Sequence, residues 1–294
     1  METGRPSRTA MGTALMRALH TRADPLRLID DPWGEQLLEP VRAEYEKRIR
    51  ETALQADADA QLRSGAAYPN VIVRARFCED ALQAAVARGV RQYVIVGAGF
   101  DSFALRRPDW ARDVEVIEVD HPSTQTYKFE RMRACGVELP AGASFVAADL
   151  GAEPLGEALQ RSPFRADAPA FFAWLGVTMY LPREANLATF REIARIGAGG
   201  SELVFSYAHI KRFDDAIARS PRYSEMRETV KSLGEPFVSG FDPAALAGEL
   251  SDCGLRLIED FGTDELIRRY DPQAINGMRA DSLSRVARAL IDQG

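Results

Sequence analysis

The spacing of apolar residues changes character along this chain. From Thr9 to His20 the apolar side chains Met11, Leu15, Met16 and Leu19 recur at helical spacing, which predicts an amphipathic helix. Asp31-Pro32 reads as a turn opening a second helix that carries Trp33, Leu37 and Leu38. Arg42 to Arg63 is heavily charged and reads as a solvated helix. Asn70 to Arg88 puts Val73, Phe77, Ala81 and Val86 on one stripe. Beyond it the pattern switches to short, nearly continuous apolar runs. These are Tyr93 to Val96, Val114 to Val119, Ser144 to Ala148, Phe171 to Val177, Glu202 to Tyr207 and Leu255 to Glu259. Runs of that length, rich in β-branched and aromatic residues, suit strands buried on both faces. The stretches between them read as helices at Thr124 to Ala134, Pro182 to Ile196 and Asp242 to Leu250. Strands alternating with helices predict an α/β fold with a doubly wound, mostly parallel sheet. Residues 1–65 fall outside that sheet, either as extra packing on one sheet edge or as an N-terminal helical cap, and residues 66–294 are expected to form the α/β domain, with a polar helical insertion near 211–240.

Composition narrows the partners. A length of 294 residues with 46% hydrophobic side chains allows one large, well-filled domain. The net charge of −6 gives no electrostatic reason to expect nucleic acid or an anionic membrane. Cys78, Cys135 and Cys253 are far apart and form no metal or disulfide spacing with His20, His121 and His209. Each cysteine is expected to act as a small apolar residue, no metal is expected, and a cytoplasmic location follows as the expectation.

The chemistry is expected after the first apolar run. Gly97-Ala98-Gly99 follows Val96 directly, where the chain must turn sharply and let something come close. The second run contains Glu118 and ends at Asp120, about twenty residues after the glycines, the arrangement by which a doubly wound sheet holds a nucleoside. The dinucleotide fingerprint needs a third glycine, and here Phe100-Asp101-Ser102 follows instead. A carboxylate at Asp101 repels a pyrophosphate but suits an ammonium or sulfonium group. S-adenosylmethionine has a ribose and both cations, and no phosphate. Gly97, Ala98, Gly99, Asp101, Glu118 and Asp120 are therefore the first candidates for cofactor binding.

Taken together, GAGFDSFALR, EVDHP, AADL from Ala147 to Leu150 and FFAWLGVTMYL from Phe171 to Leu181 resemble the leucine carboxyl methyltransferase-like, S-adenosylmethionine-dependent methyltransferases, in particular their actinobacterial branch. The likeness runs from PSRTA near the N-terminus to the last strands. It implies a class I (Rossmann-like) methyltransferase fold, a seven-stranded sheet whose final strand is antiparallel, and N-terminal helices over the active site. It also implies that Asp149 accepts a hydrogen bond from the adenine amino group while Leu150 packs on the ring, although a strand-end Asp is also a common helix N-cap. An arginine in the helix before the first strand is implied to hold a carboxylate, either the cofactor's or the substrate's. Arg74 is preferred to Arg76 for this, against the alternative that both are solvated partners of Glu79 and Asp80. The glutamate that leucine carboxyl methyltransferases carry near Leu175 is absent here.

The carboxyl ends of the later strands supply the remaining candidates. Trp174 and Tyr180 are placed at the pocket rim, and Tyr180, Tyr207 and His209 are the candidate catalytic groups. If the acceptor is a carboxylate it is already ionised and needs no base. If it is a hydroxyl, His209 is the candidate base. The expected function is an O-methyltransferase using S-adenosyl-L-methionine, with S-adenosyl-L-homocysteine as product, and a carboxylate of a small molecule or peptide as acceptor. N- or C-methyl transfer, a non-catalytic cofactor-binding module and an NAD(P) oxidoreductase are the alternatives.

Overall fold

All five residues from Gln92 to Val96 are buried in strand β1, as befits a strand covered on both faces. The computed structural model that shows this describes residues 6–51, 57–214, 228, 230, 231, 234–279 and 283–292. β2 (Glu115–Asp120) pairs with one edge of β1 and β4 (Ala170–Trp174) with the other, both parallel. β3 (Ala143–Ala147) and β5 (Glu202–Ala208) extend the two sides, again parallel. β6 (Leu255–Gly262) and β7 (Ser284–Ile291) complete a seven-stranded sheet of order β3-β2-β1-β4-β5-β7-β6, with β7 antiparallel to both neighbours. The strand order reverses between β1 and β4, so their carboxyl ends open the crevice where such sheets bind ligands.

The pleat sends alternate residues to opposite faces. Tyr93, Ile95, Phe171 and Val204 pack in one cluster with Val73, Phe77 and Leu82 of helix α5 (Ala67–Ala87). Val94, Val96, Phe172 and Phe205 pack in a second with Phe190 and Ile193 of the helix Arg183–Ile196. A third cluster joins Met11, Ala14 and Leu15 of α1 (Arg8–Ala23) to Leu37 and Leu38, to Phe100 just past β1, and to Met132 of α6 (Pro122–Ala134). The N-terminal helices thus bear directly on the turn that follows β1.

Several expectations shift in detail. The charged stretch from Arg42 is two helices, Glu39–Glu51 and Ala58–Ser64, the second capped by the Asp57 side chain on the Asp59 amide. α5 begins before Asn70. β6 runs on to Gly262, and a helix at Thr263–Tyr270 and strand β7 follow it. Most of the expected insertion near 211–240 lies outside the described residues; inside them are a 3-10 turn at Ile210–Phe213 and an irregular stretch from Glu235 to Gly240. Cys135 is exposed, with its sulfur 3.2 Å from the Gln36 carbonyl.

Candidate active site

The turn after β1 is built from two left-handed glycines, Gly97 (φ 69°) and Gly99 (φ 55°). A β-carbon on Gly97 would stand 2.6 Å from Val177 Cγ2, and one on Gly99 would stand 2.7 Å from the Ala10 methyl. The backbone of this turn is anchored from three elements. From β2, the Val119 carbonyl accepts the Gly97 and Ala98 amides at 2.8 and 3.2 Å. The Asp120 carboxylate accepts the amide of Gly99 and, at 2.7 Å, that of His121. From α1, Arg17 donates to the Phe100 carbonyl at 2.7 Å while its Nε holds the buried Asp31 carboxylate at 2.7 Å. From α6, Lys128 Nζ donates to the Asp101 carbonyl at 2.6 Å.

The carboxylates expected from sequence fall into distinct environments. Asp101 and Asp120 are half-buried at the turn. Asp101 accepts the Phe103 amide at 2.8 Å, and burial pushes the Asp120 carboxyl above its ordinary value. Glu118 is buried inside the sheet layer instead, paired with Lys128, and burial pushes its carboxyl up to about 7 against the opposing lysine. Asp149 is exposed; its side chain accepts the Gly151 amide at 2.9 Å in a tight local turn. The Ala148 amide donates to the Asp120 carbonyl at 2.8 Å, which sets Asp149 and Leu150 beside Asp120 at adjoining strand ends. Leu150 is half-buried against the second core cluster.

Arg74 separates cleanly from Arg76. Arg76 faces Asp80 at 2.9 Å, the Leu28 carbonyl at 3.1 Å and the Tyr270 ring. Arg74 reaches over the carboxyl end of β4, where a β-carbon on Gly176 would stand 2.6 Å from its Nη2. It donates to Asn70 Oδ1 at 3.0 Å, and among the described residues no carboxylate pairs with it. Burial lowers its guanidinium to about 10, and the hydroxyl of Tyr180 faces it. Tyr180 is half-buried in a 3-10 turn (Thr178–Tyr180), stacks near Phe237, and is pushed up to about 12 by burial while bonded to Thr9.

Other candidates are placed elsewhere. Trp174 is 1% exposed, packs edge-on against Phe190, and is a core side chain whose indole N–H has no hydrogen-bond partner among the described residues. The Tyr207 hydroxyl lies between Asp260 at 2.8 Å and Arg285 at 3.0 Å, so burial and the Asp260 charge keep it protonated. His209 Nδ1 accepts the Lys211 amide at 3.2 Å and caps the following 3-10 turn; burial lowers its pKa. The structure therefore gathers Gly97, Ala98, Gly99, Asp101 and Asp120 in one turn, with Arg74 and Tyr180 at the neighbouring strand end. It does not bring Tyr207 or His209 into hydrogen-bond contact with that group. Arg17 and Lys128 belong to this turn's support although no sequence motif marks them. Both carried a signal, since each lies at helical spacing with buried residues, Arg17 with Ala14 and Thr21, and Lys128 with Thr124 and Met132.

A mostly parallel sheet with one antiparallel strand, a glycine turn after its first strand, acids at the next two strand ends and, over the fourth, an arginine with no carboxylate partner among the described residues is a class I methyltransferase framework. Comparison with known proteins makes the assignment specific. The family model for leucine carboxyl methyltransferase matches residues 10–194. YktD of Bacillus subtilis (strain 168), to which S-adenosyl-L-methionine-dependent methyl transfer is provisionally ascribed, is 30% identical over 281 residues, 90% of this chain and 91% of that one. A relative given the same provisional description in Mycolicibacterium gilvum (strain PYR-GCK) is 36% identical over 218 residues, 72% of this chain and 69% of its own. The crystal structure of a provisionally assigned methyltransferase from Thermobifida fusca YX shares the fold, with TM-score 0.57 and 14% identity over 99% of this chain and 97% of that one. A DUF574 family protein of Streptomyces avermitilis MA-4680 shares it too, with TM-score 0.55 and 17% identity over 85% and 96%. The chain belongs to the leucine carboxyl methyltransferase family of S-adenosyl-L-methionine-dependent methyltransferases. Its cofactor is S-adenosyl-L-methionine. The residues present fit that group: a turn with room only for glycine, carboxylates at Asp101 and Asp120 that could accept from hydroxyl or ammonium donors, and the Arg74 guanidinium, which has no carboxylate partner among the described residues. Among the described residues no helix is long and apolar enough to cross a membrane.

Proposed function

We propose that this methyltransferase transfers the methyl group to oxygen, and that its acceptor is a carboxylate of a small molecule or peptide. The observation that carries the reading is Arg74, a half-buried guanidinium without a carboxylate partner among the described residues, facing Tyr180 at the carboxyl end of β4. A cation held out of water without a counter-charge is costly, and an anionic ligand relieves that cost. Its planar fork suits a carboxylate, either the cofactor's own or the acceptor's. The family description, leucine carboxyl methyltransferase, supports the same acceptor class.

When bound, the cofactor supplies an electrophilic methyl on its sulfonium. The residues then bind and orient. Asp120 would accept from the ribose hydroxyls and Asp149 from the adenine amino group, Leu150 would pack on the ring, and Asp101 would hold the ammonium. An acceptor carboxylate is ionised at neutral pH, so the site needs alignment rather than a base. Tyr180, held neutral, donates a hydrogen bond to that acceptor. α1 and the N-terminal helices that pack with it act as a cap that keeps water from the reacting groups. Ser7 N donates to Thr124 Oγ1 at 3.1 Å, and Glu235 accepts from Ser7, Thr9 and the Arg8 amide, which ties the start of α1 to both sides of the turn.

The test is transfer of labelled methyl from S-adenosylmethionine to a panel of carboxylic acids and peptides, followed by alkali. Methyl esters release labelled methanol. A base-stable product would replace this reading with N- or C-methylation or an ether, and binding without turnover on any acceptor would favour the non-catalytic module.

A further inference from the structure

Lys128 is the most deeply buried lysine of the described chain, 2% exposed, and its partner Glu118 is 3% exposed. Lysine rarely occupies such a place unless paired, and an apolar pair of similar size is often as stable as a buried ion pair. The geometry gives the pair a further task. Lys128 Nζ donates to Glu118 on β2 and, at 2.6 Å, to the backbone carbonyl of Asp101. Asp101 is otherwise held by its own amide on the Ala98 carbonyl at 2.8 Å and by its carboxylate on the Phe103 amide at 2.8 Å. Its three polar groups are thus fixed by three different partners, and only the lysine comes from outside the turn. The Phe145 ring, 5.8 Å from the ammonium, closes another side of the pocket.

We infer that Lys128 is a positioning residue for cofactor binding: it fixes the Asp101 carbonyl, and with it the direction of the Asp101 carboxylate, while Glu118 serves as its buried hydrogen-bond partner. Neither side chain touches the cofactor. Glu118 therefore acts through Lys128 rather than on the ribose. This rests on the proposed role of Asp101 as the group that meets the cofactor's ammonium.

The experiment compares binding of S-adenosylhomocysteine with binding of methylthioadenosine, which keeps the nucleoside but lacks the amino-acid end. Calorimetry is run on the wild type, Asp101→Asn, Lys128→Arg, and the double variant Lys128→Met/Glu118→Gln, which leaves no buried charge unpaired. The double variant is expected to lose roughly tenfold or more in affinity for S-adenosylhomocysteine, the scale of one charge-assisted hydrogen bond. Methylthioadenosine should lose far less. Lys128→Arg, whose longer planar head cannot reproduce the ammonium geometry, should shift the same ratio in the same direction. A general packing defect would weaken both ligands equally, and that result, or an unchanged ratio in both Lys128 variants, overturns the inference. If the double variant does not fold, the Lys128→Arg ratio decides alone. An unchanged ratio in Asp101→Asn would instead overturn the ammonium role itself.

Discussion

The methyl group of Ala10 lies so close to Gly99 that a β-carbon added to the glycine would stand 2.7 Å away. Helix α1 thus closes on the turn proposed to receive the cofactor. Gly99→Ala should lower stability by about 1 kcal/mol or more from the left-handed backbone alone. It should also weaken S-adenosylhomocysteine binding. Adding Ala10→Gly should restore part of both losses, which a double-mutant cycle of thermal melts and binding constants would show. Strictly additive effects would mean that the contact is slack.

Asp120 holds the Gly99 amide and is the proposed ribose acceptor. Asp120→Ala should weaken S-adenosylhomocysteine binding by roughly 1–3 kcal/mol, the usual cost of leaving buried partners unpaired. Calorimetry on the variant measures this directly, and an unchanged constant would remove Asp120 from the ribose role.

The buried Glu118 carboxyl has a folded pKa of about 7, raised by burial above its ordinary 4.5. A raised acid favours folding while protonated, so its contribution is fully present below about pH 4.5 and is lost as pH rises to about 7. Glu118→Gln lacks this loss. The unfolding free energy of the variant minus that of the wild type should therefore rise between pH 5 and pH 7.5, by at most about 3 kcal/mol. Urea melts at the two pH values check it, and a pH-independent difference would show that Glu118 titrates normally.

Glu235 accepts the Arg8 amide at 3.1 Å and the Ser7 hydroxyl at 3.2 Å at the first turn of α1, the end of a helix where a carboxylate is favoured. If this tie holds the cap closed, Glu235→Ala should reduce methyl transfer about tenfold or more. That matches a capping interaction at the upper end of its usual 0.5–2 kcal/mol. S-adenosylhomocysteine affinity should change much less. Equal losses in turnover and binding would place Glu235 in the cofactor site rather than in the closure.

The sheet and the cofactor turn could be read from the chain because one kind of physics dominates there. β1 and β2 are buried on both faces, with Val94, Val96, Ile117 and Val119 on one and Tyr93, Ile95 and Val116 on the other, so they appear as nearly continuous apolar runs, and only glycine fits the left-handed turn that follows β1. Arg74 and Arg76 were harder, since positions two apart on a helix point in different directions and only packing shows which way. Lys128 was hidden because a basic helix normally faces water, and the charge pattern of α6 does not reveal that Glu118 waits beneath it. Trp174 shows the reverse. Its place at a strand end suggested the rim, but the neighbouring Phe190 draws the ring into the core. The charged run from Arg42 to Arg63 lacked an apolar stripe, which left its break into two helices without a signal.

The most direct measurement is calorimetric titration with S-adenosylhomocysteine, with NAD in a parallel cell, on the wild type and Arg74→Met. Micromolar binding of S-adenosylhomocysteine, no binding of NAD, and a clear loss in the Arg74 variant are predicted if its guanidinium holds the cofactor carboxylate. Loss of turnover without loss of binding would assign Arg74 to the acceptor carboxylate. Full binding and full turnover in the Arg74 variant would contradict its role as the carboxylate anchor, and failure of the wild type to bind S-adenosylhomocysteine would contradict the site itself.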